Sequence, residues 1–290
     1  MSFAIFDENY YLANNPDVKA AIDAGAFSSG LQHFQQTGLA EGRVLVSPYY
    51  DEQFYLRANP DVATSVSNGT FKSGLQHYIQ YGEAERRSAG AFNETNYLAL
   101  YPDVAAAVDA GTYSSGLQHY IQFGQFEANR NSAFTGTSGN DTIAGFGQGI
   151  RAIAGVDIVD TLLGTAAVAG VGEVDTLIGG EGRDGFALGL PSLSVLNSPP
   201  RQFYVGGGNT DYALIQNFRQ PDDAIILPGS TQDYNFQTVN GNLNISTASG
   251  DLIGIVEGVA SLTPVAASSE ALGQVSGLPN DFFGPVVALV

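Results

Sequence analysis

The hexapeptide SGLQHY at Ser73–Tyr78 occurs again at Ser115–Tyr120 and, ending in Phe, at Ser29–Phe34. These three copies hold every histidine of the chain: His33, His77 and His119. Each belongs to a longer unit, opening with FDENYYLANNPDV at Phe6–Val18, YDEQFYLRANPDV at Tyr50–Val62 and FNETNYLALYPDV at Phe92–Val104. The units start 44 and then 42 residues apart, so the first half of the chain is a tandem array.

Each unit reads as short helices. Asp7 is an N-cap residue ahead of apolar Tyr10, Tyr11 and Leu12. Asn15-Pro16-Asp17 ends one helix and starts the next, with Pro at its first position. Val18, Ala21 and Ile22 form a helical stripe, and Gly25 suits the C-terminal cap. A third helix is predicted from about Ser29 to Gly38, with Leu31 and Phe34 on one face. The histidine sits beside that stripe, with no second histidine or carboxylate one turn away. A linear array does not bring three copies to one point, so the histidines read as packing residues, hydrogen-bonded to a neighbouring turn or repeat.

Composition narrows the function classes. Eleven Lys and Arg against 29 Asp and Glu give a formal charge of −18 in 290 residues. Residues 1–130 hold 14 acids and 7 bases, a net of −7; residues 131–290 hold 15 acids and 4 bases, a net of −11. Such a polyanion repels nucleic acid and anionic membranes, and it attracts cations. The absence of cysteine excludes disulfides, thiolate metal sites and cysteine nucleophiles. No stretch approaches the roughly 20 apolar residues of a membrane helix, so membrane insertion is not expected. The N-terminus lacks the basic and apolar segments of a cleavable signal; the expectation is either residence in the cell or export that does not read the N-terminus.

The unit F-D-E-x-x-Y-L-x-x-N-P-D-V…S-G-L-x-H-Y, over roughly residues 6–131, resembles a repeat common in cyanobacterial surface and secreted proteins. The resemblance implies no enzymatic activity.

From Phe134 the composition shifts to Gly, Thr, Ala, Val and Asp. Gly179–Ala187, GGEGRDGFA, fits the nonapeptide G-G-x-G-x-D-x-U-x throughout. The frames Gly170–Ile178, Gly136–Ala144 and Gly155–Leu163 keep Asp175, Asp141 and Asp160 with the apolar residue two places on. In the frame Gly145–Ile153, Ile150 stands where the aspartate is expected. This region resembles the haemolysin-type calcium-binding (RTX) repeats of secreted bacterial proteins. The resemblance implies a parallel β-roll and possible Ca²⁺ ligands at Asp184, Asp175, Asp160 and Asp141, with Gly180 and Gly182 shaping the turn. The frames are degenerate, however, and the same aspartates also read as turn caps in a roll held by its apolar ladder.

Beyond a loop with Pro199-Pro200, β-like runs with turn pairs Asn240-Gly241 and Ser249-Gly250 predict antiparallel hairpins, starting with the runs ending at Phe218 and opening at Asp222. The chain ends in NDFFGPVVALV, an acidic residue followed by an apolar run. By resemblance to RTX proteins this is a type I export signal; it also reads as a final β-strand, available for assembly.

The expected architecture is therefore α+β and multidomain. Residues 1–133 form three short-helix repeats (about 6–49, 50–91 and 92–133), 134–190 a degenerate parallel β-roll, 191–263 an antiparallel β-region, and 264–290 a tail. No nucleophile elbow, P-loop or zinc-protease motif is present, so an enzyme is not expected. The leading expectation is a secreted or cell-surface structural protein that polymerises with itself. The alternative is a monomeric calcium-dependent adhesin or carbohydrate-binding module whose partner is cell-surface polysaccharide.

Overall fold

The computed structural model describes residues 1–156, 169–193, 200–267, 282–283 and 286–290. The fold is mixed α and β, in two compact units, Met1–His119 and Tyr120–Val290.

In the first unit each repeat opens with a helix: Glu8–Asn14, Glu52–Ala58 and Glu94–Leu100. Asp7, Asp51 and Asn93 cap these helices by accepting from the backbone N–H three residues on. Pro16, Pro60 and Pro102 start the second helices, where the missing N–H leaves no bond unmade. Those helices end at Gly25, Gly69 and Gly111, with φ of 80°, 81° and 74°.

The third helix is not a uniform α-helix. Gly30–His33 and Gly74–His77 are α-helical, and Phe34–Gly38 and Tyr78–Gly82 widen into a π-turn. In the third repeat Gly116–Gln122 stays α-helical, and in the first the Tyr11 hydroxyl lies against Gly38, where a Cβ would come within 2.6 Å of it. Repeats one and two close on themselves, because the N–H of Asp7 donates to Val46 O at 2.9 Å and that of Asp51 to Ala89 O at 3.1 Å. Neighbouring repeats are joined by Ser2 N–H to Ile79 O (2.9 Å), by the Ser114 hydroxyl to Glu83 Oε1 (2.6 Å) and by an Arg86–Asp109 ion pair.

The second unit is built from strands β1 (Ser132–Thr135), β2 (Thr142–Ala144), β3 (Ile150–Ala154), β4 (Val174–Ile178) and β5 (Arg183–Ala187). Short strands β6 (Gly189–Leu190), β7 (Ser192–Leu193) and β8 (Arg201–Gln202) precede β9 (Tyr212–Gln216) and β10 (Ala224–Pro228). Then come β11 (Tyr234–Val239), β12 (Asn242–Thr247), β13 (Leu252–Val256), β14 (Pro264–Ala267), β15 (Phe282–Phe283) and β16 (Val286–Leu289).

Two mixed six-stranded sheets result, ordered β1-β3-β5-β10-β16-β14 and β2-β4-β9-β13-β12-β11. The first four strands of each are parallel. From β1 to β5, and again from β9 to β10, successive strands alternate between the two sheets. The register stacks identical positions: Phe134, Ile153, Phe186, Ile225 and Leu289 in one sheet, Ile143, Leu177, Ile215 and Val256 in the other. All nine are at most 1% exposed, and each such side chain contributes roughly 2 kcal/mol of burial.

β11, β12 and β13 are the expected antiparallel hairpins, with Asn240 and Gly241 at φ 53° and 84° in the first turn. The two preceding runs differ from expectation. β9 pairs in parallel with β4 and β13, and β10 in parallel with β5. Residues 217–223 carry the chain from one sheet to the other instead of turning it back beside β9, so 191–263 extends the sheets that begin at Ser132. The tail ends in β16, which lies antiparallel between β10 and β14 with Val287 and Leu289 buried. Asp281 lies outside the described residues.

Candidate functional site

In the first unit the recurring polar feature is a tyrosine–histidine pair. The Tyr11, Tyr55 and Tyr97 hydroxyls lie 2.9, 2.9 and 3.0 Å from Nδ1 of His33, His77 and His119. The partner is thus inside the same repeat, 22 residues back, not in a neighbouring one. Burial pushes His77 below the ordinary histidine range. Burial pushes Tyr11 up to about 12. Burial also raises Tyr55, the partner of His77, so both groups of that pair stay neutral.

A second recurring feature was not read from the sequence. Glu8, Glu52 and Glu94 each accept from two backbone N–H groups at the start of the third helix; for Glu94 these are Gly116 (2.6 Å) and Leu117 (2.8 Å). The glycine is required because a Cβ there would meet the tyrosine and leucine of the first helix at about 3 Å. The signal was present, as a Glu two residues into every repeat and a Gly in every hexapeptide.

In the second unit the aspartates of the repeated frames stand at the starts of the strands. Asp184 is fully buried: Oδ2 accepts from the Gly180 N–H at 2.9 Å and Oδ1 from Arg151 Nε at 2.6 Å. Its own N–H donates to Asp223 Oδ1 at 2.9 Å, and Asp223 Oδ2 accepts from the Arg219 N–H at 2.8 Å. Asp141 repeats the turn-closing bond, accepting from Thr137 N–H and hydroxyl at 2.7 and 2.9 Å. Its N–H donates to Asp175 Oδ1 at 2.8 Å, and the Tyr204 hydroxyl donates to Asp175 Oδ2 at 2.7 Å. One oxygen of Asp141, Asp184 and Asp223 therefore closes its own turn. Asp175 and Asp223 also receive the N–H of the aspartate one coil earlier.

The frame that lacks an aspartate is explained by its register. Arg151, not Ile150, lies opposite Asp184, and the Arg151–Asp184 ion pair is fully buried. Where the aspartates accept from an N–H four residues back, Arg151 donates to the carbonyl of Gly147, four residues back. Arg219 in turn donates to the carbonyl of Gly182, and a Cβ on Gly182 would run into the Arg151 guanidinium. Gly180 accommodates the Gly145 carbonyl, which a Cβ would approach to 2.6 Å.

These contacts decide how the residues fit a cation. Both oxygens of Asp184 and of Asp175 are taken by N–H and O–H donors. Two of the turn carbonyls that a hard cation would need accept from guanidinium groups instead. Among the described residues, no three histidine or carboxylate side chains are grouped so as to hold a metal ion. Asp160 lies outside the described residues.

The two sides of the fold are charged differently. Asp184 and Asp223 face Arg151 and Arg219. Burial pushes the Asp175 carboxyl up to about 7, with Glu173 and Asp141 adding to the rise. Glu173, Asp211 and Asp251 each hold a glycine-turn N–H of another coil: Gly139 at 2.9 Å, Gly172 at 3.1 Å and Gly206 at 2.7 Å. Their other oxygens are buried and make no hydrogen bond to any described residue.

No protein-family model matches the chain, and no curated protein matches it.

Proposed function

We propose that this chain is a non-enzymatic structural protein that assembles with copies of itself outside the cell. The observation that carries this reading is the pair of open edges that ends the two sheets. Among the described residues β11 and β14 each pair on one side only; neither carries a charged residue, and proline stands only at the first position of β14. Residues 234–250 and 258–269 are free of Asp, Glu, Lys and Arg in a chain of net charge −18. Sheet edges are ordinarily guarded by charge, proline or a covering element, because unpaired N–H and C=O groups recruit further strands. Two such acidic molecules can meet with least repulsion where no charge stands.

The alternation of parallel strands between two sheets supports a β-roll of RTX descent for residues from Ser132 to about β10. In this reading the coils are ordered by aspartate turn caps and by Arg151 and Arg219, and not by an ion. The helical repeats pack side by side, as the resemblance to surface-protein repeats implies.

The test is negative-stain electron microscopy of the full chain, in EGTA and in millimolar CaCl₂. Regular polymers in both buffers are expected. Polymers only with calcium would return the aspartates to the role of ligands, and dispersed monomers in both would overturn the assembly reading.

A further inference from the structure

We propose that the outer face of β11 and β12 is a binding groove for a neutral polyhydroxylated polymer, that is, a polysaccharide chain. The inference does not depend on self-assembly. The strands alternate faces, so Leu243, Ile245 and Thr247 of β12 are buried while Asn242, Asn244 and Ser246 face out. The register places Asn235 opposite Ser246 and Gln237 opposite Asn244. Opposite side chains on paired strands lie about 5 Å apart, and alternate positions along a strand about 7 Å apart. The result is a grid of amides and a hydroxyl rimmed by Asn209 and Gly250, with Phe236 and Leu252 also lining the groove.

Hydrogen-bonding capacity here is unspent. The side chains of Asn209, Gln237, Asn244 and Ser246 make no hydrogen bond to any described residue. By contrast Asn235 Nδ2 donates to Thr247 O at 3.0 Å, and Asn242 Oδ1 accepts from the Gly258 N–H at 2.9 Å. Each free amide offers two donors and an acceptor, and the serine offers one donor and two lone pairs, which is the set that hydroxyl groups satisfy. Charge argues for neutrality, because no charged residue occurs from Tyr234 to Gly250 and a chain of −18 repels anionic polymers. A small ligand is favoured by an enclosed pocket, whereas this site is a groove open to solvent, which suits one stretch of a longer chain.

The experiment is affinity gel electrophoresis of the full chain through gels containing dextran, hydroxyethylcellulose or alginate. Wild type is compared with Gln237→Ala/Asn244→Ala and with the rim variant Asn209→Ala. Retardation by at least one neutral glucan is expected, with affinity about tenfold weaker in the double variant, weaker in the rim variant, and melting temperatures unchanged. No retardation by either neutral polymer, equal retardation of all three proteins, or stronger retardation by alginate would each overturn the assignment.

Discussion

Asp175 is a buried carboxyl whose ionisation bears directly on the fold. Its carboxyl moves from an ordinary 3.8 to about 7, so between these values the folded chain keeps a proton that the unfolded chain has released. Its contribution to stability is full below about pH 4 and is lost as the pH rises through 7. Asp175→Asn keeps an acceptor for the Asp141 N–H and removes the titration. The melting temperature of the second unit should then vary less between about pH 5 and 8 than in wild type, as followed by circular dichroism. His77 works in the opposite sense: burial lowers its pKa, so its contribution is full above about pH 6.5 and declines as acid protonates the unfolded chain. The tyrosine pairs supply a second check. Tyr55→Phe leaves His77 Nδ1 buried without the hydroxyl, and should cost about 1–3 kcal/mol in urea unfolding.

Among the elements, helices were the most legible part of the sequence. Asp7, Pro16 and Gly25 punctuate them locally, and every reason for each boundary lies within four residues of it. The Asp-x-apolar frames were legible for the same reason, since Asp184 and Phe186 are two places apart on one strand. The parallel pairing of β9 and β10 was not, because a strand carries no local mark of a partner about 40 residues away. Nor was Arg151: a frame counted from the glycines put Ile150 at the missing aspartate, and only the register with β5 moves it by one. That register makes a prediction. Arg151→Met leaves Asp184 buried and uncompensated, and should cost about 3–5 kcal/mol. Adding Asp184→Asn should recover part of that loss, so the pair of changes will be less damaging than their sum in a double-mutant cycle. Additive losses would mean that the two side chains do not depend on each other.

For the molecule as a whole, charge sets the conditions of assembly. A net of −18 repels a second copy, and salt screens that repulsion over about 10 Å at 0.1 M. Polymer yield, followed by light scattering, should rise with NaCl. The array at the other end of the chain carries a different consequence. Tyr55 finds His77, Glu52 finds Gly74 and Asp51 finds Ala89 without leaving the repeat. A copy inserted or deleted whole would therefore arrive or depart with its own fastenings. The gene can change the reach of the protein in steps of one unit, by duplication or loss, without having to solve the folding problem again.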